Sequence, residues 1–248
     1  MTWDRIARRG AVVGLALAGL AAASVAAADT IVVRASGPSA KSYPPGRKLA
    51  ESGALALQPG DVVTLLDAKG TRTLRGPGNF NVAAANAAPA GGVALAALLD
   101  TKRVRRARTG AVRGNVGAAG TPRRPNLWLA DIATPGALCV ADAANLRLWR
   151  ADATRAATVQ IVGEGAQATA NFAAGEAMAA WPAALPVRNG GAYRLSDEGR
   201  TAEIHVALVD AGAAGMDSVA SSLIAHGCTA QLDLLVDTAA HGEAAAKD

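Results

Sequence analysis

The stretch Gly60–Phe80, with the sequence GDVVTLLDAKGTRTLRGPGNF, decides the fold of the first half of the chain. It predicts two short strands, Val62–Leu66 and Thr71–Arg75, joined by the link Asp67-Ala68-Lys69-Gly70. Such a link favours a hairpin whose type I turn places its glycine in the left-handed region, where a residue without Cβ meets no steric penalty. Gly76-Pro77-Gly78 ends the hairpin, because proline fixes φ and has no N–H to donate.

The residues on either side extend this hairpin into a small β unit. Thr30–Arg34 is rich in β-branched residues and predicts a first strand, and Ala54–Leu57 predicts another. Phe80 and Val82 complete a small β domain at residues 29–85. A unit of this size buries a limited share of its surface, so we expect it to pack against another part of the chain.

Residues 54–82 resemble the repeating β unit of FecR-like periplasmic domains. The resemblance lies in Gly60-Asp61 at the start of a strand, the acidic-glycine turn Asp67–Gly70 and the run Leu74–Gly78. It implies a non-enzymatic envelope domain with a role in signal transduction or assembly. FecR-type transducers carry an anti-sigma segment before a membrane span, whereas only Met1–Arg9 precedes the apolar run here, so we expect no sigma-factor regulator. The whole chain is also similar to exported proteins of Gram-negative bacteria, which implies a location and no particular activity.

Residues 1–28 have the pattern of a secretory signal peptide. The start, Met1–Arg9, is basic, and an apolar run follows from Ala11 to about Ala23. Ala26-Ala27-Ala28 places small side chains where a cleavage site before Asp29 needs them. The alternative is an uncleaved anchor, but the apolar run is shorter than the ~20 residues that a span requires. We therefore predict an exported, periplasmic protein with no transmembrane segment after cleavage.

Residues 86–125 predict a basic helix followed by a linker. Val93–Arg108 places leucines at helical spacing, and its basic residues gather toward the C-terminal end, where cations complement the helix dipole. Two explanations of this cluster stay open. It is either a solvated helix end that faces an acidic part of the chain, or a contact with an anionic phospholipid surface or cell-envelope polymer. The basic cluster consists of Lys102, Arg103, Arg105, Arg106 and Arg108.

Charge is distributed unevenly along the chain. Residues 101–124 hold eight basic side chains and no acidic one, whereas residues 125–248 hold seven basic and fourteen acidic ones, a net charge of −7. The overall charge of +5 therefore does not describe one uniformly basic surface. We expect no nucleic-acid partner.

Residues 126–213 predict an antiparallel, sandwich-like β domain, because short strands alternate with turn signals. The expected strands are Asn126–Asp131, Ala137–Val140, Leu146–Arg150, Thr158–Val162, Ala168–Phe172, Ala192–Leu195 and Glu203–Val209. Together with the first half, they make the fold class mainly β.

A helical pair is predicted at residues 214–240, followed by a frayed tail that begins near Ala239 and includes residues 241–248. Asp217 is expected to N-cap the first helix, Ser218–His226, and Gly227 to occupy its C′ position. Thr229 is expected to cap the second helix.

Two residue types indicate how the second half is held together. Cys139 and Cys228 are the only cysteines, and an even count in an oxidising compartment favours a disulfide over two buried thiols. Aromatic residues make up only 3% of the chain, so we expect those of the second half to form the core rather than a carbohydrate-stacking platform. They are Trp128, Trp149, Phe172, Trp181 and Tyr193.

The sequence contains no established nucleophile, metalloprotease or phosphate-binding motif. His205, His226 and His241 are the only histidines, and their spacing does not suit a zinc site. His226 and Cys228 lie two positions apart on a turn, where they are not oriented as a catalytic dyad. We expect no catalytic, cofactor-binding or metal-binding residues.

These patterns predict a non-catalytic exported envelope protein that acts in binding, sensing or scaffolding, with an envelope protein or polymer as partner. The alternative is a hydrolase that acts on an envelope polymer with carboxylates brought together on the second domain. A pocket that gathers two acidic groups with disturbed pKa values would distinguish the two. The sequence does not determine the oligomeric state.

Cleavage before Asp29 is the first testable prediction. N-terminal sequencing of the exported protein should read Asp29-Thr30-Ile31, because Ala26 and Ala28 suit the specificity of signal peptidase. Recovery of a chain that retains Met1 in the membrane fraction would contradict the prediction.

Overall fold

The computed structural model describes residues 30–67, 70–83, 92–101, 123–210 and 215–244. They form a mainly β protein whose main parts are an N-terminal sheet, a pair of facing sheets, and a C-terminal helical pair. The predicted signal peptide and the basic cluster lie outside the described residues, and so does most of the predicted linker. The boundaries assigned to the domains from the sequence stay predictions.

Six strands form the N-terminal part. Four of them make an antiparallel sheet in the spatial order β2-β1-β4-β5: β1 (Thr30–Ser36), β2 (Lys48–Leu49), β4 (Val62–Asp67) and β5 (Gly70–Arg75). The other two, β3 (Ala54–Leu57) and β6 (Gly78–Asn81), pair antiparallel as a separate small sheet. The sequence predicted β1, β3, β4 and β5. It did not predict β2, which is only two residues long, or β6, which begins at Gly78 directly after the expected end of the hairpin.

The β4–β5 hairpin is present, but its link is shorter than predicted. Gly70 has a positive φ of +142°, which favours glycine as expected, yet it already pairs with Asp67 as the first residue of β5. The Gly70 N–H also donates to Asp67 Oδ1 at 3.1 Å, which draws both residues into the ladder. After β5, Gly76 must be glycine, since a Cβ there would collide with the carbonyl oxygen of Gln58.

Asp61 fastens the loop before β4. Its side chain is buried, and its carboxylate accepts hydrogen bonds from the backbone N–H of Ser39 at 2.8 Å and of Gln58 at 2.6 Å. Burial by itself raises the pKa of a carboxyl group, but the side-chain and backbone hydrogen bonds from Ser39 and the backbone hydrogen bond from Gln58 outweigh it. The pKa of Asp61 is therefore lowered, and the ionised form stabilises the folded state.

Replacing Asp61 should change how stability depends on pH. A lowered folded-state pKa contributes stability above the unfolded value of about 3.9, and this contribution is lost as pH falls through the folded value. We expect Asp61→Asn to lower the Tm at pH 7 and the difference from the wild type to shrink below about pH 4. Thermal unfolding across this pH range, with the exposed Glu51→Gln as control, measures it. A Tm difference that does not vary with pH would contradict the prediction.

Eight strands form two facing sheets in the second half. The larger sheet has the order β11-β10-β13-β14-β8 and contains β8 (Gly136–Val140), β10 (Ala157–Gly163), β11 (Ala166–Phe172), β13 (Ala192–Asp197) and β14 (Arg200–Leu208). The smaller sheet has the order β12-β9-β7 and contains β7 (Ala130–Asp131), β9 (Arg147–Trp149) and β12 (Met178–Ala180). The sandwich-like arrangement is as predicted.

The pairing departs from an all-antiparallel sandwich in two places. β8 pairs parallel to β14, and β7 pairs parallel to β9, so each sheet has one parallel pair. The predicted strand Asn126–Asp131 shrinks to its last two residues. The reason is local, because the Asn126 side chain accepts the Trp128 N–H at 2.9 Å and donates to the Asp100 carbonyl at 2.9 Å, which holds this segment in a turn.

The apolar core between the two sheets is built from alternate residues of their strands, and Phe172, Trp181 and Tyr193 lie in it. The Trp181 and Tyr193 rings meet edge to face with centroids 5.2 Å apart. Trp128 and Trp149 are buried in a neighbouring core. The prediction that these five aromatic residues form the core is confirmed, since each is at most 9% exposed.

Within the described residues, three α-helices accompany the sheets: α1 (Gly92–Leu99), α2 (Met216–Ala225) and α3 (Thr229–Ala244). Among the described residues, none of these helices combines the length and apolar character that crossing a bilayer requires. α1 covers the start of the predicted helix Val93–Arg108, and the remainder lies outside the described residues apart from Asp100 and Thr101.

The ends of α2 and α3 correct three expectations. Asp217 lies in the first turn of α2, and Gly215 takes the N-cap position instead. Thr229 is the first residue of α3, because the Cys228 carbonyl already accepts the N–H of Gln231 and of Leu232. The chain does not fray from Ala239, which is buried, and α3 continues to Ala244.

In the turn between the two helices, Gly227 occupies the C′ position of α2, as predicted. Gly227 has a φ of +68°, and its N–H donates to the Ile224 carbonyl at 3.1 Å. The Cys228 N–H reaches back to the Leu223 carbonyl at 2.8 Å, which completes a Schellman motif. The motif places Cys228 at a defined point between α2 and α3, with its side chain buried.

One core joins the helical pair to both β parts. It contains residues of β1 and β4 (Ile31, Val33, Leu66), of α2 and α3, and of the segment Leu127–Leu129. At its edge, Arg34 on β1 forms ion pairs with Asp233 and Asp237, which lie one turn apart on α3. The N-terminal sheet therefore packs on the helices, as the limited size of its own core led us to expect.

α3 is also fixed to β8. Cys139 and Cys228 form a disulfide with their Cα atoms 5.9 Å apart. Next to it, the side chain of Gln231 is 1% exposed and makes three hydrogen bonds to backbone groups. Its Oε1 accepts the Cys139 N–H at 2.7 Å, and its Nε2 donates to the carbonyls of Cys139 at 2.8 Å and Leu127 at 2.9 Å.

Removing this amide should destabilise the protein while the disulfide stays intact. Gln231→Ala leaves three buried backbone groups without their partner, and each such group costs about 1–3 kcal/mol. We expect the free energy of unfolding to fall by about 3 kcal/mol in urea titrations without reductant. Gln160→Ala, which truncates an exposed glutamine on β10, is the matched control and should stay within about 0.5 kcal/mol of the wild type. A loss below about 1 kcal/mol for Gln231→Ala would show that this amide contributes little to stability.

Candidate functional site

The structure places the residues that the sequence singled out for chemistry in separate surroundings. Cys228 is bonded to Cys139, so its sulfur is not free to act as a nucleophile beside His226. His205 is exposed on β14, with its Nε2 3.5 Å from Glu203 Oε1. His241 lies in α3. The basic cluster is outside the described residues, so its two explanations both stay open.

The turn Asp197-Glu198-Gly199 closes a tight hairpin between β13 and β14. Asp197 pairs with Arg200, and both central residues have positive φ, +43° at Glu198 and +83° at Gly199. Asp197 Oδ2 also accepts a hydrogen bond from Arg200 at 3.2 Å. This acidic pair therefore serves the geometry of the turn.

The hollows that described residues line include a small cavity near Gln231 and an open hollow beside Trp181. The small cavity, of about 10 Å³, has room for one water molecule, and its polar lining residues include Arg124, Asp131 and Gln231. Burial lowers the pKa of the Arg124 guanidinium, and the nearby Asp131 carboxylate partly offsets this effect. An open hollow of about 350 Å³ beside Trp181 is lined by Ala, Pro, Leu and Val residues. Neither hollow brings two carboxylates together, and the described part of the chain contains no cluster of three or more residues arranged to hold a metal ion.

The most extensive polar feature is the outer face of the five-stranded sheet, which we define as the side turned away from the sandwich core. Along each strand, buried residues alternate with exposed ones, as the period of a half-buried strand requires. The side chains of this outer face on β10, β11, β13 and β14 are Thr158, Gln160, Val162, Gln167, Thr169, Asn171, Ala192, Arg194, Ser196, Thr201, Glu203 and His205. All except Val162 and Ala192 are polar.

Cross-strand contacts organise the outer face into rows. Thr158 Oγ1 lies 3.0 Å from Asn171 Oδ1, and the hydroxyls of Ser196 and Thr201 lie 3.5 Å apart. The registers align Thr169, Gln160, Ser196 and Thr201 across four strands. Such rows present hydroxyl and amide groups at the regular spacing of strands, about 4.8 Å apart. The outer face can therefore offer hydrogen bonds to a partner without first reorganising.

The two edges of this sheet differ. At β8, α3 covers the edge through the disulfide and the bonds of Gln231 to Cys139. At the opposite edge, β11 pairs only with β10 within the described residues. Among the described residues, the edge at β8 is therefore closed at Cys139, and the edge at β11 is open because no strand pairs with it there.

The turn before β11 shows which of its backbone groups lie on the open edge. Glu164 and Gly165 have φ of +53° and +74°, and Gly163 pairs with Ala166, which defines a two-residue type I′ hairpin. The pair that closes such a hairpin is hydrogen-bonded, and hydrogen-bonded pairs then alternate along the ladder. Ala166, Ala168, Ala170 and Phe172 therefore bond to β10.

The remaining residues of β11 turn their backbone groups the other way. The N–H and C=O of Gln167, Thr169 and Asn171 point to the open edge, while their side chains lie on the outer face. Within the described residues, the backbone N–H and C=O groups of these three residues form no hydrogen bond across the open edge.

The fold and this surface define a mainly β, disulfide-bonded protein with one polar sheet face and one open sheet edge. Comparison with family models, curated proteins and solved structures returned no match for the chain. The resemblance of residues 54–82 to FecR-like domains therefore stays a prediction.

Sequence reasoning identified the strands of the outer face but not the surface itself. The alternation in ATVQIVG and AQATANF was a visible signal for residues with one polar side. The spatial order of the strands was not visible, because the parallel pairing of β8 with β14 joins segments that are far apart in the sequence.

Proposed function

We propose that the protein is a non-catalytic, exported component of the bacterial cell envelope that binds or scaffolds, and that the outer face of the five-stranded sheet is its working surface. The observation that carries the proposal is the continuous polar face across four strands, held on a sheet whose other side is packed core. A rigid array of hydroxyl and amide groups suits a polar partner such as an envelope protein or polymer.

The polar groups that are buried elsewhere in the described part of the chain support a structural rather than a catalytic use. Gln231 bonds three backbone groups, and Asp61 accepts two backbone N–H groups. Arg150 donates to the carbonyls of Glu176 and Ala173, and its guanidinium stacks on the Phe172 ring at 4.8 Å. Each of these side chains is engaged in fixing the backbone.

Export and an envelope location are supported by two features. The signal-peptide pattern of residues 1–28 directs secretion, and a disulfide persists in an oxidising compartment such as the periplasm. The FecR-like resemblance of residues 54–82 agrees with the same location.

Sedimentation with envelope fractions tests the proposal. The mature protein, beginning at Asp29 and with its disulfide intact, is mixed with purified peptidoglycan sacculi and separately with outer-membrane vesicles. Arg194→Ala with Glu203→Gln removes one exposed ion pair from the outer face, and we expect at least about tenfold weaker sedimentation, equivalent to 1.4 kcal/mol of binding.

Arg155→Ala with Glu198→Gln is the matched control, because it removes another exposed ion pair, between the loop before β10 and the β13–β14 turn, which is not part of the outer face as defined above. We expect this control to sediment like the wild type. Equal binding by both double variants would show that the outer face is not the working surface. Release of soluble fragments from the sacculi, abolished by Asp131→Asn, would instead favour the hydrolase alternative.

A further inference from the structure

We propose that the open edge of β11 pairs with β11 of a second copy of this chain. The two strands run antiparallel with Thr169 opposite Thr169, and the two five-stranded sheets join into one continuous sheet. This inference goes beyond the proposed function. It shares with that proposal only the five-stranded sheet as the part of the protein that contacts a partner.

The edge is ready to accept a strand. Gln167, Thr169 and Asn171 direct their backbone N–H and C=O groups outward, which offers a template for ladder hydrogen bonds. Both ends of β11 are held in place: the type I′ turn precedes it, and Arg150 binds the Ala173 carbonyl directly after it. A pre-ordered edge loses little conformational entropy when a second strand is added.

The edge lacks the features that normally prevent such pairing. Proteins protect exposed edge strands with charged residues, proline, bulges or very short strands. β11, with the sequence AQATANF, is seven residues long, carries no charge and no proline, and pairs with β10 in unbroken register. This strand is therefore an unprotected site for β-strand addition.

The sequence of β11 is complementary to itself. When two copies are aligned antiparallel about Thr169, Gln167 faces Asn171 on the outer face, and Ala168 faces Ala170 on the other face. The outer face then gains a threonine pair flanked by two amide pairs, which are favourable cross-strand partners. The small alanines let the strands approach, and no like charges are placed opposite each other.

The closed edge at β8 explains why the assembly would stop at two copies. A sheet with two open edges can grow without limit, whereas here α3 and Gln231 occupy the edge at β8. The β11 contact uses the same surface on both copies and is therefore a closed, isologous interface. Pairing through one short strand buries little area, so we expect a dimer that forms with increasing concentration.

Sedimentation velocity of the mature wild-type protein over about 10 µM to 1 mM tests the dimer, a range that covers weak affinities. Thr169→Lys places two like charges opposite each other at the twofold axis and should weaken association at least about tenfold. Thr201→Lys is the control, because it adds the same charge to the same face, but on β14, three strands away from the edge. It should associate like the wild type.

A charge exchange tests the register. Gln167→Lys combined with Asn171→Glu sets opposite charges against each other at both flanking positions and should keep the dimer. Gln167→Lys combined with Asn171→Lys sets like charges there and should weaken it. Equal association of the two double variants would exclude the register about Thr169.

Cysteine cross-linking gives an independent measurement of the same register. Thr169→Cys should form an intermolecular disulfide under mild oxidation, since directly opposed residues of a hydrogen-bonded pair have Cα atoms about 5.5 Å apart. Gln167→Cys should not, since its two copies would be separated by about 13 Å, four residues along the strand. Cross-linking of both variants, or of neither, would overturn the proposed pairing.

Failure of this inference can be told apart from failure of the proposed function. Arg194→Ala with Glu203→Gln should lose envelope sedimentation but associate like the wild type, because both residues lie away from the edge. A wild-type protein that stays monomeric up to about 1 mM would refute the dimer, whatever its envelope binding. The Tm of each variant, compared with the wild type, identifies any loss of fold.

Discussion

The attachment of α3 to β8 is the interaction on which most of the structure depends. Gln231 bonds both backbone groups of Cys139, and the adjacent disulfide joins Cys139 to Cys228 at the start of α3. The amide takes the place of a neighbouring strand at Cys139, so both backbone groups of this edge residue are bonded without further sheet. The disulfide and the three hydrogen bonds act on the same helical turn and restrict both the position and the rotation of α3.

A fixed α3 in turn organises the first half of the chain. The small N-terminal sheet packs Ile31, Val33 and Leu66 against the helices rather than enclosing a full core by itself. Arg34 reaches two aspartates of α3, but these groups are partly exposed, and such ion pairs contribute at most about 1 kcal/mol each. Apolar burial and the closed edge therefore explain the contact between the two parts better than charge does.

The same attachment makes the five-stranded sheet asymmetric. One edge and the neighbouring part of the outer face are covered by α3, whereas no other described element covers the rest of the outer face or pairs with the β11 edge. The outer face carries polar groups that are held in register by a packed sandwich beneath them. Our proposal therefore rests on this surface and not on the hollow beside Trp181, whose lining is apolar.

Local interactions made much of this protein predictable from its sequence. Alternation in β10 and β11, the glycine at the C′ position of α2, and the scarcity of aromatic residues each act within one segment or through composition, and each was interpreted correctly. The capping of α2 and α3 was wrong by one or two positions, because backbone groups of Gly215 and Cys228 took roles expected of side chains. What only the tertiary structure decided was the parallel pairing of β8 with β14, the bonds of Gln231 across 92 positions of sequence, and the resulting place of β11 at an open edge. These features join distant segments, and the free energy that selects them comes from burial and backbone pairing in the complete fold, which no single segment encodes.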